Sequence, residues 1–162
     1  YYENTDVGDY YSVFPISIFD GGRFVVGASD TTAAKESTEF EIDLRRDVGS
    51  PISLSLAGDI SGGRGSVSAS VRVRDALPAG SNVMRIVVVE DGIIDGGYHW
   101  DFVARDVLEE EVLTVSSVGD SATVQRNFTV DAAWSESGLD VIAFVQNDGT
   151  GEVLQSARLL SE

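Results

Sequence analysis

Ile52-Ser-Leu-Ser-Leu56 and Ser66-Val-Ser-Ala-Ser-Val-Arg-Val73 decide the fold. In each run an apolar side chain recurs at every second position, and serine or arginine fills the gaps. That period puts one face of a strand against a core and leaves the other wet. Between the runs, Asp59 to Gly65 (DISGGRG) reads as a glycine-rich linker, and Leu77 to Ser81 (LPAGS) as a turn before a strand at Met84 to Glu90. Further strands are expected at Val112 to Ser116, Ala122 to Val130, Val141 to Gln146 and Val153 to Leu159. Short strands separated by turns at this spacing point to a mainly β fold, an antiparallel Ig-like β-sandwich. Tyr98 to Leu108 (YHWDFVARDVL) fits either a strand or one to two helical turns.

The amino-terminal third has another texture. Tyr1 to Tyr11 is aromatic and acidic without a period and reads as an irregular or edge segment. Val13 to Phe19 and Arg23 to Val26 flank Asp20-Gly21-Gly22, whose residues tolerate the positive φ of a tight hairpin turn. Pro15 donates no ladder hydrogen bond, so it marks an edge strand or a strand's beginning. From Ser29 to Arg46 there is no glycine, N-cap residues and acids come first, and arginines come last, an order that suits a helix dipole. Ala33, Ser37, Phe40 and Leu44 would form its stripe, although Phe40, Ile42 and Leu44 also alternate as in a strand.

Composition excludes several functions. The 162 residues include 27 acids against 11 bases, for a net charge of −16, and Lys35 is the single lysine. Such a chain repels the phosphate backbone, so nucleic acid and anionic membrane surfaces are poor partners. With no cysteine, there can be no disulfide, thiolate nucleophile or cysteine-held metal. No apolar run approaches the roughly 20 residues of a membrane-spanning helix. The chain starts at Tyr1 with no basic and apolar leader, so it reads as processed or excised from something longer.

Few residues suggest chemistry. His99 is the only imidazole, and Asp101, two residues on, would share its face of a strand, as a ligand-binding or a structural pair. No G-x-S-x-G elbow accompanies it. Asp91, Asp95 and Asp148 lie in acidic turns of the kind that can converge on calcium, but none matches the twelve-residue calcium loop, and Asp-Gly is also an ordinary turn pair. Calcium is therefore the one cofactor the turns suggest. Glu109 to Glu111 reads as a solvated run, and Asn127-Phe128-Thr129 fits a glycosylation sequon inside a strand pattern.

Two stretches, Met84 to Leu108 (with VVVEDGI, Tyr-His and VARDVL) and Val141 to Leu159 (IAFVQNDGTGEVLQSARL), resemble the C-terminal β-sandwich of the twenty-eight-kilodalton outer-membrane-protein family of bacteria. In that family the sandwich follows a thioredoxin-like domain. FPISIFDGGRFVVGAS resembles that domain's last hairpin, which makes Pro15 the match of its cis-proline and Ser29 to Arg46 its final helix. The resemblance implies a partial thioredoxin-like tail over residues 1–50 and a sandwich over 51–162. The redox site of such a domain would lie upstream. The expectation is a non-catalytic, extracytoplasmic bacterial module, secreted or at the cell surface, that works through binding or structural contacts, with a protein or a second copy of itself as partner. The alternatives are a self-associating filament subunit polymerising through strand edges, or a fragment of a larger redox protein.

Overall fold

The structure, a computed structural model, describes residues 16–26 and 30–159. Pro15 and Tyr1 to Tyr11 lie outside them. The chain divides into two compact units, Tyr1–Gly49 and Ser50–Glu162.

In the first unit, β1 (Ile16–Phe19) and β2 (Arg23–Val26) pair antiparallel, with Phe19 opposite Arg23. Asp20 and Gly21 turn the corner at φ 46° and 68°, a region that aspartate and glycine enter at low cost. Helix α1 (Thr31–Arg46) starts where the Asp30 carboxylate accepts the Thr32 and Ala33 N–H groups, both at 2.9 Å. It ends on Arg45 and Arg46, which complement the negative end of the dipole. Arg45 also reaches back to the Asp20 carboxylate, 2.7 Å away, tying the helix end to the hairpin turn.

The expected apolar stripe is not what α1 buries. Phe40 and Leu44 are exposed, as is Ile42, and the one buried residue of the helix is Glu41. Two four-residue strands cannot cover four turns of helix. Glu41 instead pairs with Arg23 of β2, with both carboxylate oxygens engaged.

The second unit is an antiparallel sandwich. One sheet has the order β10–β4–β3, from β10 (Ser121–Thr129), β4 (Arg64–Val73) and β3 (Ile52–Ser61). The other has the order β12–β11–β5–β8, from β12 (Val153–Arg158), β11 (Leu139–Asn147), β5 (Asn82–Glu90) and β8 (Val103–Val107), and β9 (Glu111–Val112) also pairs with β5. Val67, Ala69 and Val71 of β4 share one core with Met84, Ile86 and Val88 of β5 and Val141, Ala143 and Val145 of β11, each no more than 3% exposed. Burying a valine, isoleucine or methionine side chain stabilises by about 1.5–3 kcal/mol.

Three boundaries differ from the sequence reading. The linker at Asp59 to Gly65 contracts to a two-residue turn, Gly62-Gly63 at φ 60° and 76°, and the ladder runs on to Ser61 and Arg64. The strand expected at Val112 to Ser116 stops at Val112, because the Asp120 carboxylate captures the Ser116 and Ser117 N–H groups and bends the chain. Tyr98 to Leu108 is neither one strand nor a helix. It splits into β7 (Tyr98–Trp100) and β8, broken at Phe102, whose φ is +55°.

Gly65 is required by close approach: a Cβ there would lie 2.1 Å from Cζ of Phe128, which closes that end of the core. Gly65→Ala should therefore cost about 1–3 kcal/mol by overpacking, read as a lower urea midpoint, whereas an unchanged midpoint would contradict the contact. A hydrogen bond from Arg23, opposed by desolvation and aided by its charge, holds the Glu41 carboxyl below the ordinary range. The stability it contributes is present above the unfolded carboxyl's pKa and lost as pH falls through the lowered folded value. Arg23→Gln should move the Glu41 carboxyl titration, followed by NMR, back up.

Candidate functional site

At its carboxyl end β5 runs into a buried charge. Glu90 is 4% exposed, and its carboxylate accepts from Arg105 Nε of β8 at 2.7 Å and from the Ser135 N–H at 2.9 Å. An unpaired carboxylate at this depth would be strongly destabilising, so these donors fix where the chain can go next. Asp91 follows. Its Oδ1 accepts the Phe102 N–H at 2.6 Å, and its Oδ2 pairs with Arg158 Nη2 at 3.1 Å. In return the Asp101 Oδ1 accepts the Gly92 N–H at 2.9 Å. Two reciprocal side-chain bonds thus clamp the base of a small hairpin.

The hairpin is β6 (Ile93–Asp95) against β7, turned by Gly96-Gly97 at φ 58° and 84°. Ile93 faces Trp100, Ile94 faces His99 and Asp95 faces Tyr98. Neither strand pairs with a third among the described residues. The hairpin is apolar yet open to solvent, with Ile94 78%, Tyr98 69%, Trp100 51% and neighbouring Phe102 52% exposed. The Tyr98 and Trp100 rings lie 6.2 Å apart, tilted by 50°.

Arg158, at the end of β12, secures the hairpin's base. It forms ion pairs with Asp140 of β11 and with Asp91, and its guanidinium sits 4.9 Å over the Phe102 ring centroid. The hydrogen bond to Asp140 raises its pKa, against desolvation and with help from the charges of Asp140 and Asp91.

His99 is exposed on β7, its Nε2 3.7 Å from Asp101 Oδ1, which is ion-pair range but too long for a hydrogen bond. The three aspartates expected to share calcium are not brought together. Asp91 follows Glu90, paired with Leu139, whereas Asp148 follows Asn147, paired with Asn82 at the far end of the same ladder. Eight residues of strand separate those ends, about 27 Å. Asp91 is held by Arg158, Asp148 by Arg85 at 2.9 Å, and Asp95 lies on the hairpin. Among the described residues no three acidic, histidine or cysteine side chains are grouped to hold a metal. Asn127 of the sequon is exposed on β10. Sequence reasoning saw Glu90 only as a strand end and passed over Arg158, whose roles both depend on partners distant in the chain, and it passed over β6, although Gly96-Gly97 between Ile93-Ile94 and Tyr98 to Trp100 was a usable hairpin signal.

These features define a β-sandwich that carries an exposed aromatic hairpin, with a helix–hairpin unit preceding it in the chain. No family model and no curated protein matches the sequence. Among solved structures, HBP35 of Porphyromonas gingivalis matches with a TM-score of 0.65 at 16% identity, over 83% of this chain and 51% of that one. The two share a fold, and this chain spans about half the length of HBP35. A domain of the outer membrane lipoprotein Omp28 from Porphyromonas gingivalis matches with a TM-score of 0.48 at 12% identity, over 68% of this chain and 87% of that one. A β-glucosidase from Kluyveromyces marxianus gives 0.39 at 14%, over 74% and 16%. No helix among the described residues is long and apolar enough to cross a membrane.

The clamp is testable. Asp91→Ala removes the acceptor for the Phe102 N–H and one partner of Arg158, and should cost about 1 kcal/mol on denaturation. Exchange of the Phe102 amide should quicken with it; unchanged stability and exchange would contradict the clamp.

Proposed function

We propose that this chain is a non-catalytic, extracytoplasmic bacterial module, related to the Omp28-like proteins, that works through protein contacts at the cell surface. The observation that carries this reading is the β6–β7 hairpin. Ile94, Tyr98 and Trp100 are each at least half exposed on a clamped two-stranded hairpin that is separate from both sandwich sheets among the described residues. Holding three large apolar side chains in water on one small hairpin adds nothing to the core, and exposed apolar surface of this kind marks interaction sites. Tyrosine and tryptophan are also the residues that concentrate binding energy at protein interfaces.

The reading as a binding module rather than an enzyme is supported by the setting of His99. Its imidazole is exposed, and the adjacent Asp101 carboxylate already accepts the Gly92 N–H. Base catalysis favours an enclosed imidazole oriented by a dedicated carboxylate. Relation to the Omp28-like proteins is supported by the resemblance of Met84 to Leu108 and Val141 to Leu159, together with the fold shared with HBP35.

A second reading, compatible with the first, is that the chain is the carboxyl-terminal part of a larger thioredoxin-like protein. It is favoured by the helix–hairpin unit, which leaves Ile18, Phe40, Ile42 and Leu44 exposed, and by the half-length match to HBP35.

Protease added to intact cells of the source bacterium should digest the protein while a cytosolic marker survives. Digestion only after lysis would contradict a cell-surface role.

A further inference from the structure

We propose that the Tyr98–Trp100 face of the β6–β7 hairpin docks an extended, arginine-bearing segment of a partner protein, an inference that rests on the binding reading above and specifies the partner. Residues two apart on a strand share a face, and the cross-strand pairs Ile93 with Trp100 and Asp95 with Tyr98 put all four side chains on the same one. Two aromatic rings and a carboxylate are therefore presented together, with His99 and Ile94 on the reverse.

Charge decides what such a face accepts. Residues 90–101 contain four carboxylates, Glu90, Asp91, Asp95 and Asp101, and neither lysine nor arginine. The first two are neutralised from within the sheet by Arg105 and Arg158. Of the other two, Asp101 lies on the His99 side, whereas Asp95 shares the face of the rings and has no arginine paired to it among the described residues; the whole chain carries a charge of −16. The hairpin is thus apolar and anionic at once.

A guanidinium matches both properties: it stacks on an aromatic face within about 6 Å of the ring centroid and donates two parallel hydrogen bonds to a carboxylate. The sandwich already uses that chemistry internally, where Arg158 lies over Phe102 beside Asp91. Rings tilted by 50° give no single flat platform for a sugar, but each offers a face to a cation. Among the described residues no strand pairs with the outer edges of β6 and β7, which leaves backbone groups that an extended segment can pair with, a source of affinity independent of side chain.

The test titrates the full chain with hexa-arginine by calorimetry at about 0.15 M salt, where long-range attraction between exposed charges is screened beyond about 8 Å. Tyr98→Ala with Trp100→Ala should weaken binding by roughly tenfold or more, equivalent to about 1.4 kcal/mol. Asp95→Asn should weaken it by a smaller factor. Glu109→Gln, an equal loss of charge beyond the opposite end of β8, should leave it within roughly twofold, since cation–π contact is local. All the altered side chains are exposed, and unchanged thermal melting confirms that the fold persists. No binding, or equal weakening by the Glu109 and Asp95 variants with none from the ring variants, overturns the proposal. Binding of chitohexaose through the same rings without hexa-arginine binding overturns it too, while leaving the hairpin a contact surface. Digestion only after lysis would instead remove the surface role and leave this result standing.

Discussion

Strand β5 has hydrogen-bonded neighbours along both edges, β11 over all nine of its residues and β8 and β9 on the other side, while Met84, Ile86 and Val88 face the opposite sheet. Both backbone edges and one face are therefore committed before any loop is considered. Every residue around it must accept the direction in which β5 ends, and it ends on the buried carboxylate of Glu90. Satisfying that charge needs Arg105 from β8 and the Ser135 N–H from the turn before β11. The same requirement positions Asp91 against Phe102 and Arg158, so the hairpin's placement follows from the core's termination.

The opposite end of the same ladder is finished differently. Asn147 is fully buried; its Nδ2 donates to the Ala79 carbonyl and to Asn82 Oδ1, and its Oδ1 accepts the Gly149 and Thr150 N–H groups. Arg85 closes the surface there by pairing with Asp148 and Glu110. This end is neutralised and tied down. The hairpin end keeps its clamp at the base but leaves Asp95 and the aromatic rings in solvent, and that asymmetry separates an end closed by its own side chains from one open to solvent.

What was legible in the sequence follows from which interactions are local. Val67, Ala69, Val71 and Val73 alternate with polar residues, and that alternation is the burial pattern of β4. Asp30 and the two terminal arginines mark α1 because caps and dipole partners lie within a turn of the helix ends. Glu41 could not be placed from its neighbours, since its partner Arg23 sits in another element. In β5 (NVMRIVVVE) apolar residues occupy both faces, so a period of two cannot say which face is the core. The acidic turns looked alike in one dimension; only the register of β11 on β5 shows that Asp91 and Asp148 stand at opposite ends. The aromatic residues around His99 were visible, but their exposure was not, because it depends on β6 and β7 pairing with each other and, among the described residues, with no third strand.

The central claim is that a rigid sandwich core, organised on β5 and β11, carries a hairpin built for contact and not for stability. Amide hydrogen exchange on the intact chain tests it most directly, because protection reports the free energy of opening segment by segment. Slowest exchange along the β5–β11 ladder, with the amides of β6 and β7 exchanging far faster, is the predicted result. Protection of the hairpin equal to that of β5 would mean that Tyr98 and Trp100 belong to the cooperative core, and would contradict the account.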